Sequence, residues 1–257
     1  MTTPVLGRHV EHDPRSLTYQ AMGAVVQRSV LWGHHGPVLD QGDIGACTGN
    51  ALADCINTDP FAAARPNGYL TETDALKLYE LATTLDNVSG QYPPDDTGSS
   101  GLAVCKAGVQ LGYLAGYRHA LGFDAFAAAL QLQPVIVGTN WTEAMFTPDS
   151  DGTVHPTGQV EGGHEYLALG IDYNAQRLTF LNSWGESWGD HGRFYMSFGD
   201  FADLLAAQGD ATVPVAVAVK PTPPTPTPPA PPTPPVPTGQ QVTLTGTFTG
   251  TLITAAA

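Results

Sequence analysis

Four side chains stand where their types and spacing could carry out acyl transfer. Cys47 closes the run Gln41-Gly42-Asp43-Ile44-Gly45-Ala46-Cys47 and opens Thr48-Gly49-Asn50-Ala51, the form of a loop that delivers one thiol to the first turn of a helix. There, unpaired backbone N–H groups and the positive end of the helix dipole favour thiolate over thiol, which is what makes a cysteine nucleophilic. Gly42 and Gly45 keep the approach free of side chains. A thiolate also needs a proton partner that later protonates the leaving group, and His164 in Gly162-Gly163-His164-Glu165 is the best candidate. Asn182, further on, can orient the imidazole by accepting from its ring N–H. Gln41 supplies an amide donor that can join the Cys47 backbone N–H in an oxyanion hole.

The three stretches together, Gln-Gly-x-x-Gly-Ala-Cys, Gly-Gly-His, and Asn182-Ser183-Trp184-Gly185-x-x-Trp188-Gly189-x-x-Gly192, resemble the papain-like cysteine peptidases. The likeness extends to Ser29-Val30-Leu31-Trp32 and to Gln133-Pro134-Val135-Ile136-Val137, in family order over roughly residues 29 to 200. What the resemblance implies is Cys47 as nucleophile, His164 as acid/base, Asn182 as orienter, Gln41 as oxyanion donor, and Trp184 as the aromatic that shields the Asn–His bond from water. Two positions depart from the family's local signature. Ile44 stands where many relatives have a disulfide-forming cysteine, so rigidity there must come from packing, and Thr48 replaces the aromatic residue after the nucleophile. The implied activity is endopeptidase hydrolysis of a peptide or protein substrate without cofactor or metal. Two other readings stay open: a transpeptidase or amide ligase using the same acyl-enzyme, and a non-catalytic papain-like binding module.

These residues need elements to position them. Ala51, Leu52 and Cys55 recur at helical spacing from Cys47 to about Ile56, as expected for a buried central helix. A second helix is expected from Thr71 to about Thr84 with Ala75, Leu78, Tyr79 and Ala82 on its apolar face, a third from Leu102 to about Leu111, and a short one from Asp124 to Leu132. Asn87 to Ser100 reads as loop; by resemblance it borders the substrate groove, although Gly98 and Gly101 are equally well explained as a surface turn. Strands are expected at Val135 to Trp141, Tyr166 to Tyr173, Leu178 to Asn182, Arg193 to Phe198 and Thr212 to Val219. The fold class that follows is α+β. The resemblance makes it a papain-like two-lobed fold, a helical lobe and an antiparallel β-barrel-like lobe with the active-site cleft between them.

Around this peptidase domain, placed at residues 29–220, lie an N-terminal arm at 1–28 expected to wrap it, a Pro/Thr-rich linker at 221–239 and a β-strand tail at 240–257. The linker holds eleven of the chain's 22 prolines and cannot form a core. The tail alternates Val242, Leu244, Phe248 and Leu252 with threonines, so it needs a partner edge, and self-association is one expectation. A spacer followed by a sticky strand suggests attachment to a surface or particle, a virion or cell envelope among them. Residues 1–46 are too few for the long inhibitory pro-segment of many papain-like enzymes, so any restraint on activity would be another device.

Composition narrows the partners. With 42% hydrophobic residues the chain can bury a sizeable core, and a formal charge of −14 with ten Lys and Arg argues against nucleic acid. No signal peptide is visible at Met1 to Ser16, and no segment reaches the length of a membrane span. Three cysteines are too few for a disulfide scaffold; Cys55 and Cys105 could pair, though buried free thiols are the simpler reading. The zinc-helix pattern fails after His164-Glu165 for want of its second histidine, and Asp149-Ser150-Asp151-Gly152 lacks the other ligands of a calcium loop. The seven remaining histidines, the His34-His35 pair included, read as loop or surface residues.

Overall fold

A computed structural model describes residues 4–11, 27–64, 68–217 and Gly246. The linker and tail expectations therefore lie outside the described residues, as do the turn at Asp13-Pro14-Arg15 and the apolar patch at Ala24-Val25-Val26.

Period-two patterning builds one antiparallel sheet. Its strands are β1 (Val30–Leu31), β2 (Leu114–His119), β3 (Val135–Thr142), β4 (Val160–Asp172), β5 (Arg177–Leu181), β6 (Arg193–Ser197) and β7 (Asp210–Ala216), in the order β2-β7-β3-β4-β5-β6 with β1 on β4. Alternation divides its side chains between two cores. Ile136, Leu167, Leu169 and Leu181 face one way, and Val135, Val137, Tyr166, Ala168 and Phe180 the other.

The first face is covered by α1 (Cys47–Ile56), α2 (Glu72–Ala82) and α3 (Gly101–Gln110). All ten residues of α1 are buried, and α2 lies close because Gly49 carries no Cβ to meet the Ala75 carbonyl. The apolar face expected for α2, Ala75, Leu78, Tyr79 and Ala82, is the face it buries. Ser100 caps α3 by accepting from the Ala103 N–H at 3.1 Å. The second face is covered by α4 (Phe123–Leu130) and α5 (Phe198–Ala206), whose Phe126 and Phe201 rings meet at 4.6 Å. Phe126, Phe180, Phe194 and Phe201 are all fully enclosed, each contributing roughly 1.5–3 kcal/mol of burial.

The antiparallel sheet and helical layer give the expected α+β fold. Three elements had no sequence-based expectation: β1, β2 and α5. Strand β4 also begins at Val160 rather than near Tyr166, because Gly162, Gly163 and His164 pair with Trp141, Asn140 and Thr139 of β3. The consequence for the site is direct. His164 is fixed in a ladder, not carried on a turn.

Candidate active site

Cys47 opens α1, as the Gly-rich approach predicts, and Ala46 before it supplies no side-chain cap. The approach loop is held from the side. Gln41 Nε2 donates to the Ile44 carbonyl at 2.9 Å, and Gln41 Oε1 accepts from Ser183 Oγ at 2.7 Å. The Gln41 N–H also reaches the Ser183 carbonyl at 2.9 Å, so this loop is tied to the segment that follows Asn182. Packing and these bonds stabilise a loop in which Ile44 stands in place of a disulfide. Thr48 is fully buried, its Oγ1 without a hydrogen-bond partner.

His164 and Asn182 meet. His164 Nε2 lies 2.7 Å from Asn182 Oδ1, and Trp184 stacks on the imidazole with ring centroids 4.7 Å apart. Trp141 meets the same ring edge-on at 4.9 Å, so the His–Asn bond is enclosed by indoles on two sides. All of these groups are buried. A hydrogen bond sheltered from water exchanges less readily and orients the ring more firmly. That bond leaves His164 Nδ1 as the ring nitrogen with no hydrogen-bond partner among the described residues.

The arm fills the rest of the site. Gln41 Nε2, the candidate oxyanion donor, donates at 3.0 Å to the carbonyl of Val5. Gly7 lies between two loops: a Cβ there would collide with Gly45, and a Cβ on Gly98 would collide with Gly7. The Ser99 N–H donates to the Gly7 carbonyl at 2.7 Å, and on the opposite side the Arg8 N–H donates to the Gly163 carbonyl at 3.0 Å. A peptide main chain is thus laid between the 98–99 loop and the histidine strand, directly over the cysteine. Gly98, explained equally well from sequence as a plain turn, borders this groove.

Covering reverses one expectation. The helix N-terminus was expected to lower the Cys47 pKa, yet burial pushes the thiol up to about 12, with the nearby Glu165 carboxylate adding to the rise. Burial likewise lowers His164 to about 4, the Asn182 hydrogen bond resisting. Both groups are neutral at neutral pH in this buried arrangement. The dipole is present, but desolvation outweighs it.

Cys47, Cys55 and Cys105 are all free and buried, and no cluster of potential metal ligands occurs among the described residues. No helix among the described residues is long and apolar enough to cross a membrane. His119 corrects the loop-or-surface reading: it is buried at the end of β2. His34 lies in a loop and is half-buried, with Nδ1 3.0 Å from Thr58 Oγ1.

Sequence reasoning missed Arg8, Glu165 and Asp210. Glu165 and Asp210 each begin or interrupt an apolar strand run, Glu-Tyr-Leu-Ala-Leu and Asp-Ala-Thr-Val, which is the signal that could have marked them as buried acids.

A helical layer carrying a cysteine at a helix start, set against a sheet carrying a sheltered His–Asn pair, is the arrangement of the papain-like fold. Comparison with known proteins agrees: a model of the papain family cysteine proteases matches residues 91–208, a span that includes His164, Asn182 and Trp184. Over that span the chain is similar to the papain family cysteine proteases. A gut-specific cysteine proteinase of Caenorhabditis elegans is 28% identical over 184 residues, covering 64% of this chain and 54% of the relative. Cathepsin B-like cysteine proteinase 4 of the same organism is 29% identical over 182 residues, covering 61% and 54%. The chain therefore spans about half the length of the curated relatives it matches. In fold it is similar to xylellain, a cysteine protease from Xylella fastidiosa, with a TM-score of 0.65 at 18% identity over 83% of this chain and 96% of that one. A Carica candamarcensis cysteine protease gives 0.55 at 17% identity, covering 74% and 99%.

Proposed function

We propose that the protein is a cysteine endopeptidase in which Cys47, His164, Asn182 and Gln41 form the catalytic set and Trp184 shelters it. The observation that carries this reading is the arm: a peptide main chain already lies over Cys47 with one of its carbonyls on the Gln41 amide. In the reaction, Cys47 Sγ passes its proton to His164 Nδ1 and bonds to the substrate carbonyl carbon while Gln41 Nε2 and the Cys47 N–H take up the developing negative charge on oxygen. The C–N bond breaks as His164 gives a proton to the departing amine. Water then attacks the thioester, losing its proton to His164, and the acid leaves. Asn182 keeps Nε2 engaged, so that Nδ1 serves these transfers. The reaction requires the arm to vacate the groove.

The same proposal takes residues 29–220 as the peptidase domain, 1–28 as its arm, 221–239 as a spacer and 240–257 as a strand seeking a partner. Iodoacetamide labelling near neutral pH, paired with a fluorogenic peptide library, tests the catalytic claim. His164-dependent labelling of Cys47 accompanied by cleavage is expected. No cleavage, with Cys47 labelled no faster than Cys55 and Cys105 even after the arm is removed, would overturn it.

A further inference from the structure

Next to the cysteine, on the helix-facing side of β3, β4 and β7, two carboxylates share one buried pocket. Glu165 and Asp210 have side chains 0% and 7% exposed, and the cation between them is Arg8 of the arm. Arg8 Nη2 bonds Asp210 Oδ2 and donates to the Gln208 carbonyl at 2.8 Å, while Arg8 Nε stands 3.9 Å from Glu165 Oε2. The Gln208 carbonyl is presented by the left-handed turn that ends α5, with Gln208 at φ 66°.

The pocket is made by missing side chains. A Cβ on Gly138 would lie 2.5 Å from both Arg8 Nε and Glu165 Oε2, one on Gly101 would collide with the Glu165 carboxylate, and one on Gly163 would come within 3.1 Å of Arg8 Cδ. None of the three has positive φ, so glycine is there for space and not for backbone conformation. The pocket is also incompletely filled chemically: both Glu165 oxygens, and Arg8 Nε and Nη1, lack hydrogen-bond partners. A buried carboxylate left this way is costly and favours a cation that reaches it better.

We propose that Glu165 and Asp210 form a specificity pocket for an arginine side chain of the substrate, which Arg8 occupies here as part of a segment that binds in place of substrate. This deepens the peptidase reading and rests on it. A substrate can enter only when the arm leaves, and Arg8 then leaves with it. Two desolvated acids remain, and a neutral side chain would leave both without a counter-charge. A guanidinium can meet Asp210, Glu165 and the Gln208 carbonyl at once through its fork of donors, which the single ammonium of lysine does less well. Because Arg8 adjoins Gly7, the residue over the thiol, the pocket serves a side chain one residue from the one at the nucleophile.

The test is a set of fluorogenic peptides with Arg, Lys, citrulline or Leu scanned through the two positions on either side of the cleaved bond, given to the full-length chain. Arg is expected to exceed Leu and citrulline by about tenfold or more in kcat/KM at one position, with Lys between them. In Glu165→Gln/Asp210→Asn, checked for folding by its thermal transition, that preference should collapse to a few-fold. Equal cleavage of Arg and Leu peptides at every position by the unaltered chain would overturn the pocket and leave the peptidase reading standing. If no peptide is cleaved and Cys47 is inert, the peptidase reading fails, and the pocket is judged by binding. A fluorescent peptide of residues 4–11 is then titrated against Cys47→Ala/Arg8→Leu, beside the same peptide with leucine at the arginine position. About tenfold tighter binding of the arginine form supports the pocket, and equal affinity overturns it.

Discussion

His164 and Glu165 are neighbours on one strand, both fully buried, and they live in opposite chemical worlds. Alternation sends His164 to the aromatic side, where one nitrogen is bonded to Asn182 at 2.7 Å and indoles enclose the ring. It sends Glu165 to the helix side, where neither carboxylate oxygen has a hydrogen bond and the compensating charge comes from a distant part of the chain. The first environment is held in place by the fold itself. The second is complete only while the arm is in place. A catalytic group must be held in one geometry through every turnover, whereas a recognition pocket must be able to exchange its occupant, and on the proposed reading these adjacent residues meet those two demands.

The largest effects should come from the His164 side. Cys47→Ala should abolish peptide cleavage, since the acyl-enzyme cannot form, and His164→Ala should lower kcat by about 10²–10⁴. Gln41→Ala should reduce kcat by about 10²–10³ if its amide binds the oxyanion. Gln41 also anchors Ile44 and Ser183, so Gln41→Glu is the sharper probe. It keeps the size, removes the donor, and should lower kcat much more than it changes KM. A change confined to KM would assign Gln41 to loop structure alone.

That side of the comparison was also the readable one. Cys47, His164, Asn182, Gln41 and Trp184 each sit in a local motif whose neighbours announce a turn, a helix start or a strand, and α1 and α2 declared themselves through apolar spacing. The acid pocket could not be read this way. Arg8, Glu165 and Asp210 come from three remote stretches, and their meeting depends on the register of β3 with both β4 and β7, where Gly138 is opposite both Glu165 and Asp210. Glycines that are needed for space leave no mark that distinguishes them from glycines needed for turns. The raised Cys47 pKa was hidden for the same reason: the helix start is local, but the segment that buries it is not. Strand β1 is only two residues long, and β2, Leu-Ala-Gly-Tyr-Arg-His, has no clean alternation, so neither offered a period to detect.

The next effect, smaller than loss of catalysis, concerns the arm. Arg8→Ala leaves Glu165 and Asp210 without their cation, a loss of about 3–5 kcal/mol for a buried pair broken on one side. Much of this should appear as release of the arm instead of global unfolding, because the arm is otherwise held by the hydrogen bonds of Val5, Gly7, His9 and Glu11 to the groove loops, and its described residues lie outside the buried clusters of the two cores. Iodoacetamide labelling of Cys47 at pH 7 should then accelerate at least tenfold and approach the rate of a chain lacking residues 1–11. Restoring neutrality with Glu165→Gln/Asp210→Asn in the Arg8→Ala background should slow it again. Labelling that stays slow in Arg8→Ala would show the arm to be held by its backbone and the ion pairs to be incidental.

The smallest effect is in the pH dependence, where the two sides of β4 pull against each other. With the arm in place His164 is lowered to about 4, whereas its ordinary value is 6.5. Whatever part of this burial the arm supplies is lost on opening, so His164 takes up a proton more readily in the open state and acid below about 6.5 favours opening. The full displacement sets an upper bound of roughly 3 kcal/mol on this effect. Cys47, pushed up to about 12 from 9.0, works at the other extreme: the uncovered thiol ionises first, and alkali above about 9 favours opening. Glu165 acts against the acid limb. Burial holds its carboxyl well above the ordinary range, Asp210 adding to the rise and Arg8 opposing it, so as pH falls the covered Glu165 takes up a proton before a solvated one would. Hydrogen exchange of the Arg8, His9 and Ser99 amides, main-chain donors that join arm and groove, measures opening directly once intrinsic exchange is corrected for. Protection should be greatest between about pH 6.5 and 9 and decline on both sides, within the limits set by the two pKa displacements. In Glu165→Gln the acid decline should become steeper, because the opposing group no longer titrates. An unchanged acid limb in that variant would mean that the two faces of β4 do not communicate through the arm.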